Sequence, residues 1–162
     1  MLKPVQRKSF RAGETAFAIV ASRYNGRYVD AMVRAARAEL KRAGAKQVEV
    51  IRVPGAYEIP VVAARLARTG SSRIDHFAAI ICLGIILRGE TTHAVHIGEA
   101  VSSALMELQI KHEVPIIHEV LLLENEQQAQ ARCLGKTHNR GTEAAQTALA
   151  MATVMESLDP IF

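Results

Sequence analysis

A chain of 162 residues in which hydrophobic types make up 49% can build one sizeable core, which excludes an intrinsically disordered protein. The formal charge of +4 is too small to argue for nucleic acid, and aromatics at 4% supply no stacking platform for single strands. No apolar run reaches the length of a membrane span, and the basic N-terminus lacks the apolar segment of a secretory signal.

Residues 1–12 read as a flexible or oligomer-bound arm ahead of a single domain over residues 13–162. The domain opens with a continuous apolar run, Ala16 to Ala21, as expected for a parallel strand covered on both faces. Ser22-Arg23-Tyr24-Asn25 follows. A tyrosine at the carboxyl end of a strand can stack on a flat ring, although taken alone a half-buried loop aromatic is the stronger reading. Val29, Met32, Val33, Ala36 and Leu40 then form the stripe of a helix that Gly44 is placed to end.

The second apolar run, Val48 to Val53, leads into Pro54-Gly55-Ala56-Tyr57-Glu58-Ile59-Pro60. Gly55 permits close backbone approach to a ligand. Glu58 at a helix start is equally a capping acid or an acceptor for ligand hydroxyls. The helix from Ile59 to Arg68 carries Pro60 in its first turn and is expected to close at Gly70.

The third run, Phe77 to Gly84, contains Cys82, a core thiol by context, and is followed by Arg88-Gly89-Glu90-Thr91-Thr92-His93. Free backbone N–H groups and two hydroxyls at a helix start form an anion site, and His93 stands close enough to shuttle protons to its occupant. The competing reading is a capped helix with a surface histidine. His96 shares a face with His93, but no further matched ligand accompanies the pair, so no metal is expected. The helix from Thr92 to Lys111 turns Ile97, Val101, Ala104, Leu105 and Leu108 inward, yet Val95 and Met106 spread apolar surface around it.

A fourth run, Val114 to Leu123, precedes a short helix from Glu126 to Arg132. Arg132, Lys136 and Arg140 then make a basic loop that either clamps a phosphate or is simply solvated. The last helix, Thr142 to Ser157, points Ala145, Ala148, Leu149, Ala152 and Met155 inward. Alternating strands and helices imply a parallel sheet with helices on both faces and ligands beyond the strands' carboxyl ends. No glycine-rich nucleotide loop is present. Residue chemistry alone stops at an α/β domain with an anion site, a histidine and a basic loop.

In their order and spacing, these segments resemble the lumazine synthase family. The carriers are Ser22 to Asn25, Arg52 to Pro60, Cys82 to Gly84, Arg88 to His93, and Glu126 to Ala129 leading to Arg132 and Asn139-Arg140-Gly141. The resemblance implies a flavodoxin-like sandwich around a parallel four-stranded sheet. It implies condensation of 5-amino-6-ribitylaminouracil with 3,4-dihydroxy-2-butanone 4-phosphate to 6,7-dimethyl-8-ribityllumazine, phosphate and water. It also implies a cytoplasmic homo-oligomer built on pentamers, with no cofactor and no nucleic-acid or membrane partner.

Carried over, Tyr24 stacks on the pyrimidine, and Ala56, Tyr57 and Glu58 line the ribityl and ring pocket. Ile85, Ile86 and Leu87 contact the pyrimidine edge through their backbone. Glu90 and Thr91 hold phosphate, and His93 moves protons. Arg132 pairs with the phosphate, Arg140 replaces the family's usual lysine, and His118 stands where an aromatic covers the substrate from the neighbouring chain. Leu122-Leu123 replaces a usual pair of threonines. An active enzyme is expected over a structural shell protein or a lumazine-storing protein, because Glu58, Thr91, His93 and Arg132 are all present.

Overall fold

The structure is a computed structural model that describes residue 12, residues 14–69 and residues 76–158. Its order is β1 (Ala16–Ser22), α1 (Gly26–Arg42), β2 (Gln47–Val53), a 3-10 turn (Ala56–Glu58), α2 (Ile59–Thr69), β3 (Phe77–Leu87), α3 (His93–His112), β4 (Ile116–Leu123), α4 (Glu126–Cys133) and α5 (Arg140–Leu158). The four strands form one parallel sheet in the order β2-β1-β3-β4.

The apolar runs are continuous because both faces of the sheet are covered. Phe17, Ile19 and Ile81 pack with Met32, Leu40 and Leu149 of α1 and α5 on one face. Ala18, Val20, Ile80 and Cys82 pack with Ile59, Val101 and Leu105 of α2 and α3 on the other. This is the three-layer architecture that the alternation of strands and helices implies.

The α1 stripe is buried as its spacing requires, and Gly44 ends that helix with φ 84 while its N–H donates to Lys41 O. Only glycine takes that conformation without strain. The end expected for α2 at Gly70, and most of the arm, lie outside the described residues. Ala12, assigned to the arm, is buried, and its N–H donates to Ala43 O at 2.8 Å, so the folded unit already includes it.

The third strand runs three residues beyond Gly84. Ile85, Ile86 and Leu87 pair with Leu121, Leu122 and Leu123, so the apolar run carries on to the sheet's edge. β4 starts two residues later than its apolar run, because Pro115 has no N–H to donate; its carbonyl accepts instead from Ile80 N–H at 2.9 Å.

Candidate active site

In a sheet ordered β2-β1-β3-β4, successive connections depart to opposite sides of β1, and loops part beyond the carboxyl ends of β1 and β3. A cavity of about 830 Å³ lies there, lined by the loops that follow β1, β2 and β3 and by the first turns of α3. Tyr24, Ala56, Tyr57, Glu58, Ile85, Ile86, Leu87, Thr91 and His93 all line it. Glu90 sits between two lining residues, Gly89 and Thr91, without being part of the wall. Tyr24 and Tyr57 are 73% and 63% exposed, so their rings are open to a ligand or a neighbouring molecule.

Backbone hydrogen bonds tie the three loops together. Arg23 N–H donates to Val53 O at 2.8 Å and Tyr24 N–H to Pro54 O at 3.1 Å, joining the first loop to the second. Asn25 adopts a left-handed conformation with φ 55, which asparagine tolerates better than most residues, and its Nδ2 donates to Ile85 O at 2.8 Å. Arg52 braces the same corner, with Nη2 on Ser22 O at 2.8 Å and Nη1 on Asp30 Oδ1 at 2.6 Å. In the sequence Asn25 stands only as the last residue of the Ser22 to Asn25 segment, and asparagine's tolerance of a positive φ is the signal that marks it.

Gly55 makes the wall possible. A Cβ there would lie 3.0 Å from Glu58 Oε2 and 3.3 Å from the Tyr24 ring, so glycine lets both side chains close over the turn. Glu58 caps that turn, accepting from Gly55 N–H at 2.8 Å through Oε2. The capping reading of Glu58 is thus realised, while Oε1 has no protein partner among the described residues and can still accept from a ligand. His93 is the first residue of α3, and its N–H meets Thr91 Oγ1 at 3.4 Å. Thr92 supplies no side-chain cap, so the helix start offers backbone N–H groups to an anion.

The sequence model of one family, 6,7-dimethyl-8-ribityllumazine synthase, matches residues 14–156. A 6,7-dimethyl-8-ribityllumazine synthase of Stenotrophomonas maltophilia is 42% identical over 144 residues, covering 88% of this chain and 90% of the relative. Proteins of the same name from Xanthomonas oryzae and Xanthomonas campestris are 42% and 41% identical with the same coverage. The chain belongs to the 6,7-dimethyl-8-ribityllumazine synthase family.

The family resemblance places three further residues at the substrate, and none of them lines this chain's own cavity. His118 lies on β4 on the side of α3, beside Ser102. Arg132 is on α4, across the sheet, with one hydrogen bond among the described residues, from Nη1 to Gln128 O at 3.4 Å. Most donors of its guanidinium fork stay available. Arg140 is differently placed: its Nη1 is 2.7 Å from Glu143 Oε2 and 3.9 Å from Glu119 Oε1. It would have to leave two carboxylates to reach a phosphate.

His96 does line the cavity with His93, but no group of three His, Cys, Asp or Glu that could hold a metal ion occurs among the described residues. Both cysteines are buried and free, and burial pushes Cys82 up to about 12 and Cys133 up to about 11, so both remain thiols.

Two carboxylates around one guanidinium leave surplus negative charge. Burial pushes the Glu119 carboxyl up to about 7, with Glu143 adding to the rise and Arg140 opposing it. The folded state therefore holds a proton that the unfolded chain releases nearer pH 4.5, and stability falls as pH rises between these values. Glu119→Gln is expected to leave stability unchanged near pH 4 and to raise it by about 2–3 kcal/mol at pH 8. Denaturant melts at the two pH values measure the difference; equal curves at pH 8 refute it.

Proposed function

We propose that this chain condenses 5-amino-6-ribitylaminouracil with 3,4-dihydroxy-2-butanone 4-phosphate in a cavity that one chain builds and a neighbouring copy completes. The product, 6,7-dimethyl-8-ribityllumazine, is that of the family to which the chain belongs, and the chain is an enzyme of riboflavin biosynthesis. One observation carries the shared-site reading: among the described residues no lysine or arginine lines a cavity that must hold a phosphate. A neighbouring copy can supply the cation, and the family resemblance points to Arg132, which spends one guanidinium nitrogen on Gln128 O within its own chain.

In this reading the Tyr24 ring stacks on the pyrimidine, whose edge meets the backbone of Ile85, Ile86 and Leu87. Ala56, Tyr57 and Glu58 receive the ribityl chain, with Glu58 Oε1 accepting from its hydroxyls. Glu90 and Thr91 hold the phosphate at the start of α3, and Arg132 of a neighbouring copy neutralises it. His93 moves protons as the imine forms and phosphate leaves. Amine and ketone condense with no change of oxidation state, so no redox cofactor enters. Holding the two partners together supplies most of the acceleration.

A head-to-tail ring repeats such a shared site at every contact, and we take the pentamer as the unit. Exposed Met106 and Ile110 on α3 and Leu122 on β4 supply apolar surface for the contact. No helix among the described residues is long and apolar enough to cross a membrane. With two free thiols, a reducing cytoplasm is the proposed compartment.

The test is complementation. His93→Ala and Arg132→Ala chains are each impaired alone; refolded together at equal amounts, roughly one interface in four pairs an intact His93 with an intact Arg132. Lumazine absorbance with both substrates reads the recovery. If the mixture co-assembles and never exceeds the better single variant, each chain carries a complete site and the shared-site reading is wrong.

A further inference from the structure

His118 is exposed, yet both of its ring nitrogens are engaged within its own chain. Nδ1 accepts from Val120 N–H at 3.1 Å. Nε2 lies 2.7 Å from Ser102 Oγ. A backbone amide can only donate, so Nδ1 is the bare nitrogen, and in a neutral imidazole the proton then sits on Nε2. The Ser102 hydroxyl donates to Gly98 O at 2.8 Å, which leaves its oxygen free to accept from Nε2–H. The donors run one way, from His118 to Ser102 to the Gly98 carbonyl.

We propose that Ser102 is a positioning residue: it accepts from the Nε2–H that the Val120 amide dictates and so holds the polar edge of His118 in place, and only the ring face is offered to the pyrimidine. The inference rests on the reading that His118 covers substrate bound by a neighbouring copy. An imidazole whose two nitrogens are already occupied acts toward an incoming ring as a hydrocarbon aromatic does, through its face. That accounts for a histidine at the position where the family commonly has phenylalanine.

The surroundings keep the ring uncharged. A second proton on Nδ1 would face the Val120 N–H, and partial desolvation by the neighbouring strand and helix holds His118 below the ordinary histidine value, with a hydrogen bond to its own backbone pulling the other way. From β3, the residue paired with His118 is Cys82, whose thiol stays protonated. From α3, Glu99 lies one turn before Ser102 and lines the same groove, and it is the charged group on that face. On β4 itself, Ile116 and Val120 share the face and are apolar.

The test uses the full-length assembly with ¹⁵N-labelled histidine and the variants Ser102→Ala, Ser102→Thr and His118→Ala. Ring ¹H–¹⁵N correlation spectra distinguish the tautomers, and steady-state kinetics separate the two substrates. Wild type should show Nε2–H for His118 and remain neutral below the ordinary histidine range. In Ser102→Ala the Nε2–H loses its acceptor, its ring correlation shifts or is lost to exchange with water, and KM for the pyrimidine rises about 3–10-fold. KM for the ketone phosphate should stay within about twofold, as expected when one neutral hydrogen bond far from the phosphate is lost. Ser102→Thr keeps the acceptor and should restore both readouts.

If His118→Ala raises the pyrimidine KM while Ser102→Ala changes neither spectrum nor KM, the role of Ser102 is wrong and the placement of His118 stands. If His118→Ala leaves that KM unchanged, His118 does not cover the substrate, and the inference falls with that reading.

Discussion

Replacing His93 by alanine is expected to slow turnover by roughly 10²–10⁴-fold without abolishing it, the range that a positioned proton carrier contributes. The cavity still gathers both reactants in the variant, and proximity alone keeps the condensation well above its rate in free solution. Two other groups in the wall can carry protons, Glu58 and His96, so each needs its own variant. Glu58 Oε2 is already engaged by the Gly55 N–H, and Glu58→Gln should act mainly on the pyrimidine KM. His96 lies a turn further along α3 and is expected to matter much less than His93. Single-turnover rates across the pH range decide this, since they remove product release. A His93→Ala enzyme that matched wild type at every pH would leave His93 with no part in proton transfer.

The second large effect is structural. Gly141→Ala should cost at least about 3 kcal/mol and sharply lower the soluble yield, because overpacking against rigid backbone sits at the upper end of its usual range. A Cβ on Gly141 would lie 2.0 Å from the Met32 carbonyl oxygen and 2.7 Å from Met32 Cα. These are main-chain atoms in the middle of α1, so no side chain can swing aside. Met32 and Ala145 are fully buried on either side of the contact, and α1 and α5 cannot separate without opening the core. Gly26→Ala is the control. Its Cβ meets only Asp30 Oδ2 at 3.8 Å, and replacing a helical glycine there should be neutral or stabilise by up to about 1 kcal/mol. Urea unfolding of both variants gives the comparison. A Gly141→Ala protein as stable as wild type would mean that the two helices do not meet so closely.

Much of this was legible locally. Apolar spacing marked each strand and helix, because burial on one stripe or on both faces writes its own period into the chain. Gly44 marked the end of α1, and the residues that line the cavity followed the apolar runs. Glu58 shows the limit: its position at a helix start fitted capping and ligand binding equally, and the fold shows one oxygen in the cap and the other without a partner among the described residues. The extent of β3 also escaped a local reading, since strand length depends on whether a partner runs alongside, and Leu121 to Leu123 provide one for Ile85 to Leu87.

The sequence by itself determined the elements, the family resemblance and the residue types near the strand ends. Only the tertiary structure decided which of those residues meet. Tyr24, Glu58 and His93 follow three different strands and share one cavity because the chain crosses from β2 to the far side of β1 before forming β3. Arg132 and Arg140 are as prominent in the sequence, yet α4 and α5 carry them to the opposite face, where Arg140 is held by Glu119 and Glu143. Strand order is fixed by pairing between segments far apart in the chain, and local periodicity carries no record of it.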